Sequence, residues 1–263
     1  MANTDPTQKP LCQDELNARL KTSRSFEAAA FTSTVTLDEL DLTECLFTNC
    51  LFDLPAVRGA DFSGAQFKDC RFSPGRFASC KFPGARFQAT NFFDADQKKG
   101  CTFAFCDLRD VEAEKCNFSV SAFERCDMHD FRARECSFRG VRFHASTFTK
   151  AISKRVIVTR GRFEACNFTF TDFSGVSLES CEFLTCKFLD TAFFDVNLTD
   201  AIMRDCILDK AEWERANLTR ADFRGSTISG LNLAVLSGHT GLMIGEGQQT
   251  ELLERLGVSV HPD

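Results

Sequence analysis

A period of five dominates the sequence between residues 161 and 235. The third residue of each five-residue block is large and apolar, and the residue two positions earlier is small in all blocks but the last. Neither the 3.6-residue period of a helix nor the two-residue alternation of a strand keeps both positions on one side of the chain. The large positions are Phe163, Phe168, Phe173, Leu178, Phe183, Phe188, Phe193, Leu198, Met203, Leu208, Trp213, Leu218, Phe223, Ile228 and Leu233.

This repeat predicts a chain that turns after every short extended piece. Two inward side chains separated by one outward residue make a three-residue strand, and the next two residues turn the chain. Four such pieces close a square coil of twenty residues. Coils stacked at the parallel-strand spacing of about 4.8 Å pair their backbones around a column of Phe and Leu. The sequence therefore predicts an all-β, four-sided parallel solenoid.

The same register runs upstream from Leu42, with one interruption. Phe92 and Phe103 are eleven residues apart where the register requires ten, so the pattern slips by one. We interpret 91–100 as a surface loop between a short and a long block, with Gly100 taking backbone angles that other residues resist. A simple β-bulge is the alternative.

One face of the coil lacks large inward residues. Ala113 and Ala133 occupy the large position twenty residues apart, which places them in one column, and Ser153 is the next residue at that spacing. The alternatives are a packing exchange, in which Phe131 refills the gap, and a shallow recess that receives a loop or a partner.

The stretch 149–160 lies between Phe148 and Phe163, whose separation of fifteen residues keeps the five-residue register, but the stretch itself lacks the repeat of large and small inward residues. Lys150, Lys154, Arg155 and Arg160 lie in it without an acidic residue. It can form two degenerate repeats in the wall or a loop of about ten residues. We favour the loop, because rigid scaffolds commonly carry recognition residues on loops.

Thirteen of the fourteen cysteines occupy the small inward position, and no CxxC pair is present. A free thiol packs as a small apolar group, so packing is favoured over disulfides or metal, and no cofactor is expected. Many unpaired thiols indicate a reducing compartment, and the N-terminal residues lack the pattern of a signal peptide. We therefore expect a cytoplasmic protein without membrane contact.

The net charge of −6 is unevenly distributed. Residues 101–160 carry +3, from eleven basic and eight acidic residues, whereas 161–263 carry −8, from eight basic and sixteen acidic residues. An acidic chain is not expected to bind nucleic acid directly, because that binding relies on phosphate neutralisation.

Both ends of a solenoid need caps, because an open end exposes core side chains and unpaired strand edges. At the N-terminus, a short helix predicted over 14–22 and the segment 26–35 would form the cap; a partner-binding arm is the alternative. These features divide the chain into an N-terminal extension and cap, two solenoid blocks and a C-terminal segment. The ranges are 1–36, 37–99, 100–235 with the loop 149–160, and 236–263.

At the C-terminus, 248–256 predicts a helix that Gly257 ends. Its apolar side chains and the valines that follow it are more numerous than a cap requires to cover the end of the solenoid. Two copies of the chain could bury them about a two-fold axis. We therefore expect a homodimer rather than a monomeric cap. The predicted interface residues are Leu252, Leu253, Leu256, Val258 and Val260.

The repeat over 37–235 resembles the pentapeptide-repeat family, whose members form right-handed quadrilateral β-helices. Further features are similar to the quinolone-resistance (Qnr-type) branch. They are a joint at Gly100 between a short and a long block, one loop before the joint and a larger one after it, and a Trp repeat at 213–218. The segment 249–258 also resembles the part through which that branch dimerises, whereas the N-terminal region is longer than in that branch.

The resemblance implies a homodimeric DNA mimic that binds DNA gyrase or topoisomerase IV and protects the enzyme from quinolones. Loop residues would contact the enzyme and carboxylates would stand in for phosphates. The predicted loop residues are Asp96, Lys98, Lys99, Lys150, Lys154, Arg155 and Arg160. The predicted acidic surface is Asp190, Asp195, Asp200, Asp205, Asp209, Glu212 and Glu214.

The spacing of these carboxylates bears on the mimicry. Residues five apart lie on successive faces, so the first four aspartates form a ring rather than a phosphate-like stripe. At a spacing of twenty, the column through Asp190 would contain Asp110, Asp130, Lys150, Phe170 and Lys210, which is mixed in charge. Mimicry would then rest on the diffuse field of the C-terminal half.

Two other classes of function are the alternatives. A plain interaction scaffold, or an immunity-type binder of another protein, would use the same solenoid without a topoisomerase. An enzyme is not expected, because the histidines are scattered, no phosphate-binding Gly loop or metal-ligand spacing occurs, and Phe and Cys fill the inward positions. The histidines are His129, His144, His239 and His261.

Overall fold

The chain winds into a four-sided parallel β-solenoid with a short C-terminal helix, as the repeat predicts. The computed structural model describes residues 8–153 and 156–261. In chain order the strands are β1 Lys9–Pro10, β2 Ser25–Glu27, β3 Ala29–Phe31, β4 Leu46–Thr48, β5 Leu51–Phe52, β6 Ala56–Arg58, β7 Gln66–Lys68, β8 Arg71–Phe72, β9 Arg76–Ala78, β10 Arg86–Gln88, β11 Phe93–Asp94, β12 Lys99–Gly100, β13 Thr102–Ala104, β14 Glu112–Glu114, β15 Ala122–Glu124, β16 Phe131–Arg134, β17 Arg142–His144, β18 Thr149–Ser153, β19 Val156–Thr159, β20 Gly161–Glu164, β21 Glu182–Leu184 and β22 Ile202–Arg204. The helices are α1 Gln13–Thr22 and α2 Glu246–Arg255, with a 3₁₀ turn at Leu233–Val235.

Four faces enclose the core, and each has its own column of inward side chains. We number them in the order in which the chain meets them after residue 101, so that the first to fourth faces carry Phe103, Leu108, Ala113 and Phe118. The third face holds the longest sheet, with nine parallel strands in the order β2-β4-β7-β10-β14-β16-β20-β21-β22. Its inward column is Phe26, Phe47, Phe67, Phe87, Ala113, Ala133, Phe163, Phe183, Met203 and Phe223.

Stacked aromatic rings fill the core. On the fourth face, the ring centroids of Phe118 and Phe138 are 5.1 Å apart, and those of Phe138 and Phe168 are 5.0 Å apart, with interplanar angles of 9° in both pairs. Each fully buried Phe contributes about 1.5–3 kcal/mol by its removal from water. The thirteen cysteines at the small inward position are buried, as predicted, and Cys12 is exposed. Burial raises the pKa of the Cys101 thiol to about 12, so this thiol is held in its neutral, unreactive form.

Residues at the corners turn the chain by adopting the left-handed backbone conformation. Asp190, Asp195, Asp200 and Asp205 have φ of 51°, 54°, 57° and 54°. Asp and Asn tolerate this region better than most residues. In this coil the turn residues therefore repeat every five positions, as the inward apolar residues do.

Two insertions shift the columns: the first is longer than the register indicates, and the second is the loop of about ten residues that the sequence favours. The inward step from Phe92 to Phe103 spans eleven residues where an uninterrupted coil uses five, so six residues are inserted rather than one. Phe77 therefore pairs with Phe103, 26 residues later. Gly100 lies at the end of this insertion and does not have a positive φ. A Cβ at Gly100 would lie 2.5 Å from the carbonyl oxygen of Ser119, so the requirement for Gly is steric.

The second insertion corrects two predicted columns. Ten residues are added between Phe148 and Phe163, so Ala133 pairs with Phe163 rather than Ser153. Large inward residues are thus missing from two coils of the third face, not three.

The same shift changes the neighbours of Asp190. Backbone hydrogen bonds join the corners Val120, Gly140, Phe170, Asp190 and Lys210 to successive coils. Asp110 and Asp130 therefore do not lie in this column, because they precede the second insertion, and Lys150 does not, because it belongs to the insertion.

The N-terminal segment closes one end of the solenoid. Strand β1 pairs in parallel with β3, and Leu16 of α1 is completely buried. Coiling begins before the register that is visible in the sequence, since Phe26 stacks on Phe47 with centroids 5.2 Å apart. The offset of these two residues is 21 rather than 20, which hides this coil from a search for the strict period. No helix in the described parts of the chain is long and apolar enough to cross a membrane.

Candidate protein-interaction surfaces

The first projection, which we call the short hairpin, is formed by β11 and β12 and the residues between them. The strands pair antiparallel, with Phe93 opposite Gly100 and Asp94 opposite Lys99. The predicted contact residues Asp96, Lys98 and Lys99 are exposed here.

Asp94 holds the short hairpin in place, although sequence reasoning did not select it. Its buried carboxylate accepts hydrogen bonds from the backbone N–H groups of Asp96 and Gln97, both at 2.9 Å. The bond from Gln97 is the main cause that lowers the pKa of Asp94 below its usual value. The signal in the sequence was an Asp two residues before a turn, a position from which Asp commonly accepts backbone hydrogen bonds.

The second projection, which we call the long hairpin, is formed by β18 and β19. The strands pair antiparallel with Thr149 opposite Thr159, and the hydroxyl oxygens of these two residues are 2.9 Å apart. Lys150 lies on the first strand and is exposed. The predicted contact residues Lys154 and Arg155 lie outside the described residues.

A buried carboxylate organises the base of the long hairpin. Asp130 donates its backbone N–H to the carbonyl oxygen of Arg160 at 2.8 Å, and its side chain lies 3.4 Å from the Arg160 guanidinium. The guanidinium of Arg132 donates to the same carboxylate at 2.8 Å. Arg160 is thus exposed but anchored, and it stands beside the third face.

The two hairpins leave the solenoid from opposite sides. The short hairpin follows Phe92 of the fourth face, and the long hairpin follows Phe148 of the second face. These two faces oppose each other in a four-sided coil. A single flat partner surface therefore cannot cover both hairpins at once; contact with both requires a partner that wraps around the solenoid or two partner elements.

Three large apolar residues are exposed at corners near the hairpins. Phe105, Val120 and Phe170 are 55%, 46% and 51% exposed and have φ of 56°, 57° and 61°. The guanidinium of Arg139 lies 5.3 Å from the ring centroid of Phe170. A positive φ is strained for a β-branched or bulky residue, so neither packing nor the turn explains these side chains.

The predicted acidic surface is partly neutralised. Asp195 accepts two hydrogen bonds of 2.6 Å from Arg215, and Asp200 accepts two of 2.6 Å from Arg220. Each Arg lies one coil above its Asp, a proximity that depends on the twenty-residue column. The other predicted members are exposed, except for the half-buried Asp209; they are Asp190, Asp205, Glu212 and Glu214.

The C-terminal helix rests on the last coil and leaves apolar residues uncovered. The side-chain amide of Gln248 donates to the carbonyl oxygens of Phe223 and Ser226 at 2.9 and 2.5 Å, and Leu252 packs against the core. Leu253 is half-buried. Beyond the helix the predicted interface residues Leu256, Val258 and Val260 are exposed.

No group of three or more His, Cys, Asp or Glu within 8–153 and 156–261 could hold a metal ion.

The sequence and the structure each have known relatives. Residues 156–233 match the family model of the pentapeptide repeat region. No match was found among curated protein sequences.

The fold is shared with solved structures. Full-length QnrB1, a plasmid-mediated fluoroquinolone resistance protein, is similar with a TM-score of 0.72 and 22% identity over 89% of this chain and 100% of that chain. HetL, a pentapeptide repeat protein involved in heterocyst differentiation regulation from the cyanobacterium Nostoc sp. strain PCC 7120, has a TM-score of 0.61 and 11% identity over 89% of this chain and 94% of that chain. At these identities the likeness establishes the fold. With its five-residue repeat, the family model matched by residues 156–233 and this shared solenoid, the chain has the fold of pentapeptide-repeat proteins and resembles QnrB1.

Proposed function

We propose that this protein is a non-catalytic binder of a type II topoisomerase, DNA gyrase or topoisomerase IV, and that it protects the enzyme from quinolones. The observation that carries the proposal is the presence of two hairpins on a fold that spans the whole length of QnrB1, a fluoroquinolone resistance protein. The resemblance in sequence implies the same target.

In this proposal the hairpins make the principal contacts. Lys98 and Lys99 on the short hairpin and Lys150 and Arg160 on the long hairpin present exposed cations to the enzyme. Their positions on opposite sides of the solenoid suit a large partner with a cleft.

Carboxylates take a smaller part in the proposal than a DNA mimic would require. Two of the ring aspartates, Asp195 and Asp200, are already paired with Arg215 and Arg220. Mimicry of DNA is then restricted to Asp190, Asp205 and the neighbouring exposed glutamates. We further propose that Leu256, Val258 and Val260 form the interface of a homodimer, since these exposed side chains lie close together after α2.

A gyrase supercoiling assay with and without a quinolone tests the proposal. Addition of the intact protein is expected to restore supercoiling in the presence of the drug. A variant lacking 150–159 keeps Phe148 and Phe163 five residues apart, so the coils stay in phase while the long hairpin is removed. A matched variant lacking 94–99 removes the short hairpin in the same way.

Loss of protection is expected in the variant without the long hairpin, provided that its circular dichroism spectrum is unchanged. If both shortened variants protect as well as the intact protein, neither hairpin takes part. If the intact protein itself does not protect gyrase or topoisomerase IV, the proposed target is wrong.

A second function has support in the similarity to HetL, which is involved in the regulation of heterocyst differentiation rather than in drug resistance. The same surfaces could then bind a different protein, as an interaction scaffold or immunity-type binder. This function would be favoured if the protein did not protect gyrase or topoisomerase IV and if its two hairpins bound another protein.

A further inference from the structure

A groove runs along the third face over the two coils that have Ala in the large inward position. Its volume is about 470 Å³, and its walls are two rows of outward side chains on either side of the inward column. One row is Gln66, Arg86, Glu112, Arg132 and Arg162, and the other is Lys68, Gln88, Glu114, Arg134 and Glu164. The proposed function uses neither row.

The position of the groove follows from the inward residues beneath it. Ala113 and Ala133 replace the Phe found in the coils below and above them. Phe131 enters the core from the position that is normally small, and its ring is stacked with that of Phe163 at 6.1 Å. The core is therefore filled from the adjacent corner, while the groove is centred on the two Ala coils.

Basic side chains outnumber acidic ones in the walls of the groove. Five of the ten wall residues are Lys or Arg and three are Glu, in a chain whose net charge is −6. Arg160 adds a further exposed cation at the adjoining corner. From Lys68 to Arg162 the cations span five coils, which is about 19 Å at a parallel-strand spacing of about 4.8 Å.

Two of the three glutamates in the walls are held by neighbouring arginines. Glu112 lies 3.2 Å from Arg86 and 3.7 Å from Arg132, and Glu114 forms an ion pair with Arg134. Exposed ion pairs of this kind contribute little net stability, so an incoming carboxylate can exchange with them at small cost. The planar guanidinium groups can then bind a carboxylate through two hydrogen bonds.

The charge pattern distinguishes between possible occupants. The three glutamates interrupt the rows of cations, so a strand of closely spaced phosphates would meet repulsion along its length. A peptide can place carboxylates beside the cations and neutral or donor groups beside the glutamates. The strands in the floor are already paired on both sides, so a bound peptide is recognised by its side chains and not by addition as another strand.

We propose that this groove binds an extended acidic segment of a partner protein. At about 3.3 Å per residue, about six residues cover its length. Carboxylates spaced two residues apart point to one side of such a segment and face the cations of the two rows. The proposal holds for any partner and does not depend on a topoisomerase.

Fluorescence polarisation with a labelled eight-residue peptide of alternating Glu and Gly tests this at low ionic strength. The same peptide with Gln in place of Glu is the ligand control. The double variant Arg132→Ala/Arg134→Ala removes two cations from the groove. The matched double variant Arg139→Ala/Arg142→Ala removes two cations from the same coil on other faces.

We expect the Glu peptide to bind at least tenfold more tightly than the Gln peptide. The groove variant should lose at least tenfold in affinity, and the matched variant should bind as the unaltered protein does. Gln88→Trp, which fills the groove without changing its charge, should also weaken binding. Circular dichroism establishes that each variant is folded.

Three results would overturn the proposal. The first is equal affinity for the Glu and Gln peptides, or no binding of either. The second is an equal loss in the two double variants, which would indicate general electrostatic attraction. The third is binding of a single-stranded oligonucleotide that requires Arg132 and Arg134 while the Glu peptide does not bind.

Discussion

The middle coils, 101–170, and the C-terminal coils, 171–231, share one core but differ at their corners. In the C-terminal coils four successive corners are Asp, from Asp190 to Asp205. In the middle coils the same left-handed conformation is adopted by Phe105, Val120 and Phe170. For most L-residues this conformation costs roughly 1–2 kcal/mol, and Asp and Asn reduce that cost by local hydrogen bonds.

The corner residues of the two regions therefore differ in what they favour: those of one region favour stability and those of the other favour recognition. The Asp corners of the C-terminal coils suit this backbone conformation, although Thr185 adopts it there as well, whereas the middle coils retain Phe105, Val120 and Phe170, strained residues whose apolar side chains face solvent. Both hairpins adjoin or interrupt the middle coils, and the groove of the third face centres on them. Strain that persists at exposed positions is typical of functional sites, so we assign recognition chiefly to the middle coils.

The largest expected effect tests whether the two regions really share one core. Phe138 of the middle coils is stacked 5.0 Å from Phe168, and Phe188 of the C-terminal coils is stacked 5.0 Å from the other side of Phe168. Phe138→Ala and Phe188→Ala should each lower the free energy of unfolding by about 3–5 kcal/mol, because each leaves a cavity in a packed column. Urea denaturation measures both values. A much smaller loss for Phe138→Ala would mean that the middle coils are less tightly packed.

The next effect concerns a buried carboxylate of the C-terminal coils. Asp222 is buried and accepts hydrogen bonds from the Nε groups of Arg224 and Arg204 at 2.9 and 2.7 Å. Hydrogen bonds from Arg224, followed by those from Arg204, hold the pKa of Asp222 far below its usual value. Asp222→Asn should lower the free energy of unfolding at neutral pH by about 1.5–3 kcal/mol, the range for hydrogen bonds to charged groups.

The sign of the pH dependence follows from the direction of this shift. Because the pKa of Asp222 is lower in the folded protein, the stabilisation is present above its unfolded pKa of about 3.9 and is lost as the pH falls toward the folded pKa. Unfolding measured between neutral pH and pH values below about 4 should therefore show a shallower acid dependence for Asp222→Asn than for the unaltered protein. Asp205→Asn is the control at an exposed corner and should keep the original slope.

The core, the four faces and both helices could be predicted from the sequence, because each depends on residues that are close in the chain. The exact size of the first insertion could not. A five-residue register reveals an insertion only through the part of its length that is not a multiple of five, so the slip of one residue before Phe103 does not show that six residues are inserted. The ten residues before Phe163 leave the register unchanged and are indicated only by the loss of the repeat within them.

Side-chain contacts across coils depend on those insertions. The wrong column for Asp190 followed from counting in steps of twenty across the predicted loop of about ten residues, and the same count placed Ser153 on the third face where Phe163 lies. The pairing of Asp195 with Arg215 is a separate case, since both residues lie beyond the insertions and are twenty apart. The pairing could have been predicted by comparing charged residues twenty apart in the sequence, as is done here for the apolar residues.

A smaller effect is expected from relief of strain in the middle coils. Val120 has φ of 57°, and Gly adopts this conformation without the steric cost of a β-branched side chain. Val120→Gly should therefore raise the free energy of unfolding by up to about 1 kcal/mol, after allowance for the greater entropy of Gly in the unfolded chain. Asp190→Gly, in the same corner column, is the matched control and should give no gain.

A loss of stability in Val120→Gly would show that the Val side chain contributes more through packing than the strain removes. Stability and binding can also be separated at this position. If the strained residues are retained for recognition, Val120→Gly and Phe170→Gly should weaken partner binding although neither lowers stability.

The smallest effect is expected at the exposed ion pairs of the C-terminal coils. Asp195 and Arg215 are joined at 2.6 Å, and the Arg215 guanidinium lowers the pKa of Asp195. Both side chains are largely exposed, so solvent screens their attraction and the pair contributes little to stability. Asp195→Asn should leave the Tm at neutral pH nearly unchanged in thermal denaturation followed by circular dichroism, and added salt should reduce even that difference. A clear drop in Tm would mean that the charged columns support the C-terminal coils. The contrast between the two regions would then lie in their surface charges as well as in their corners.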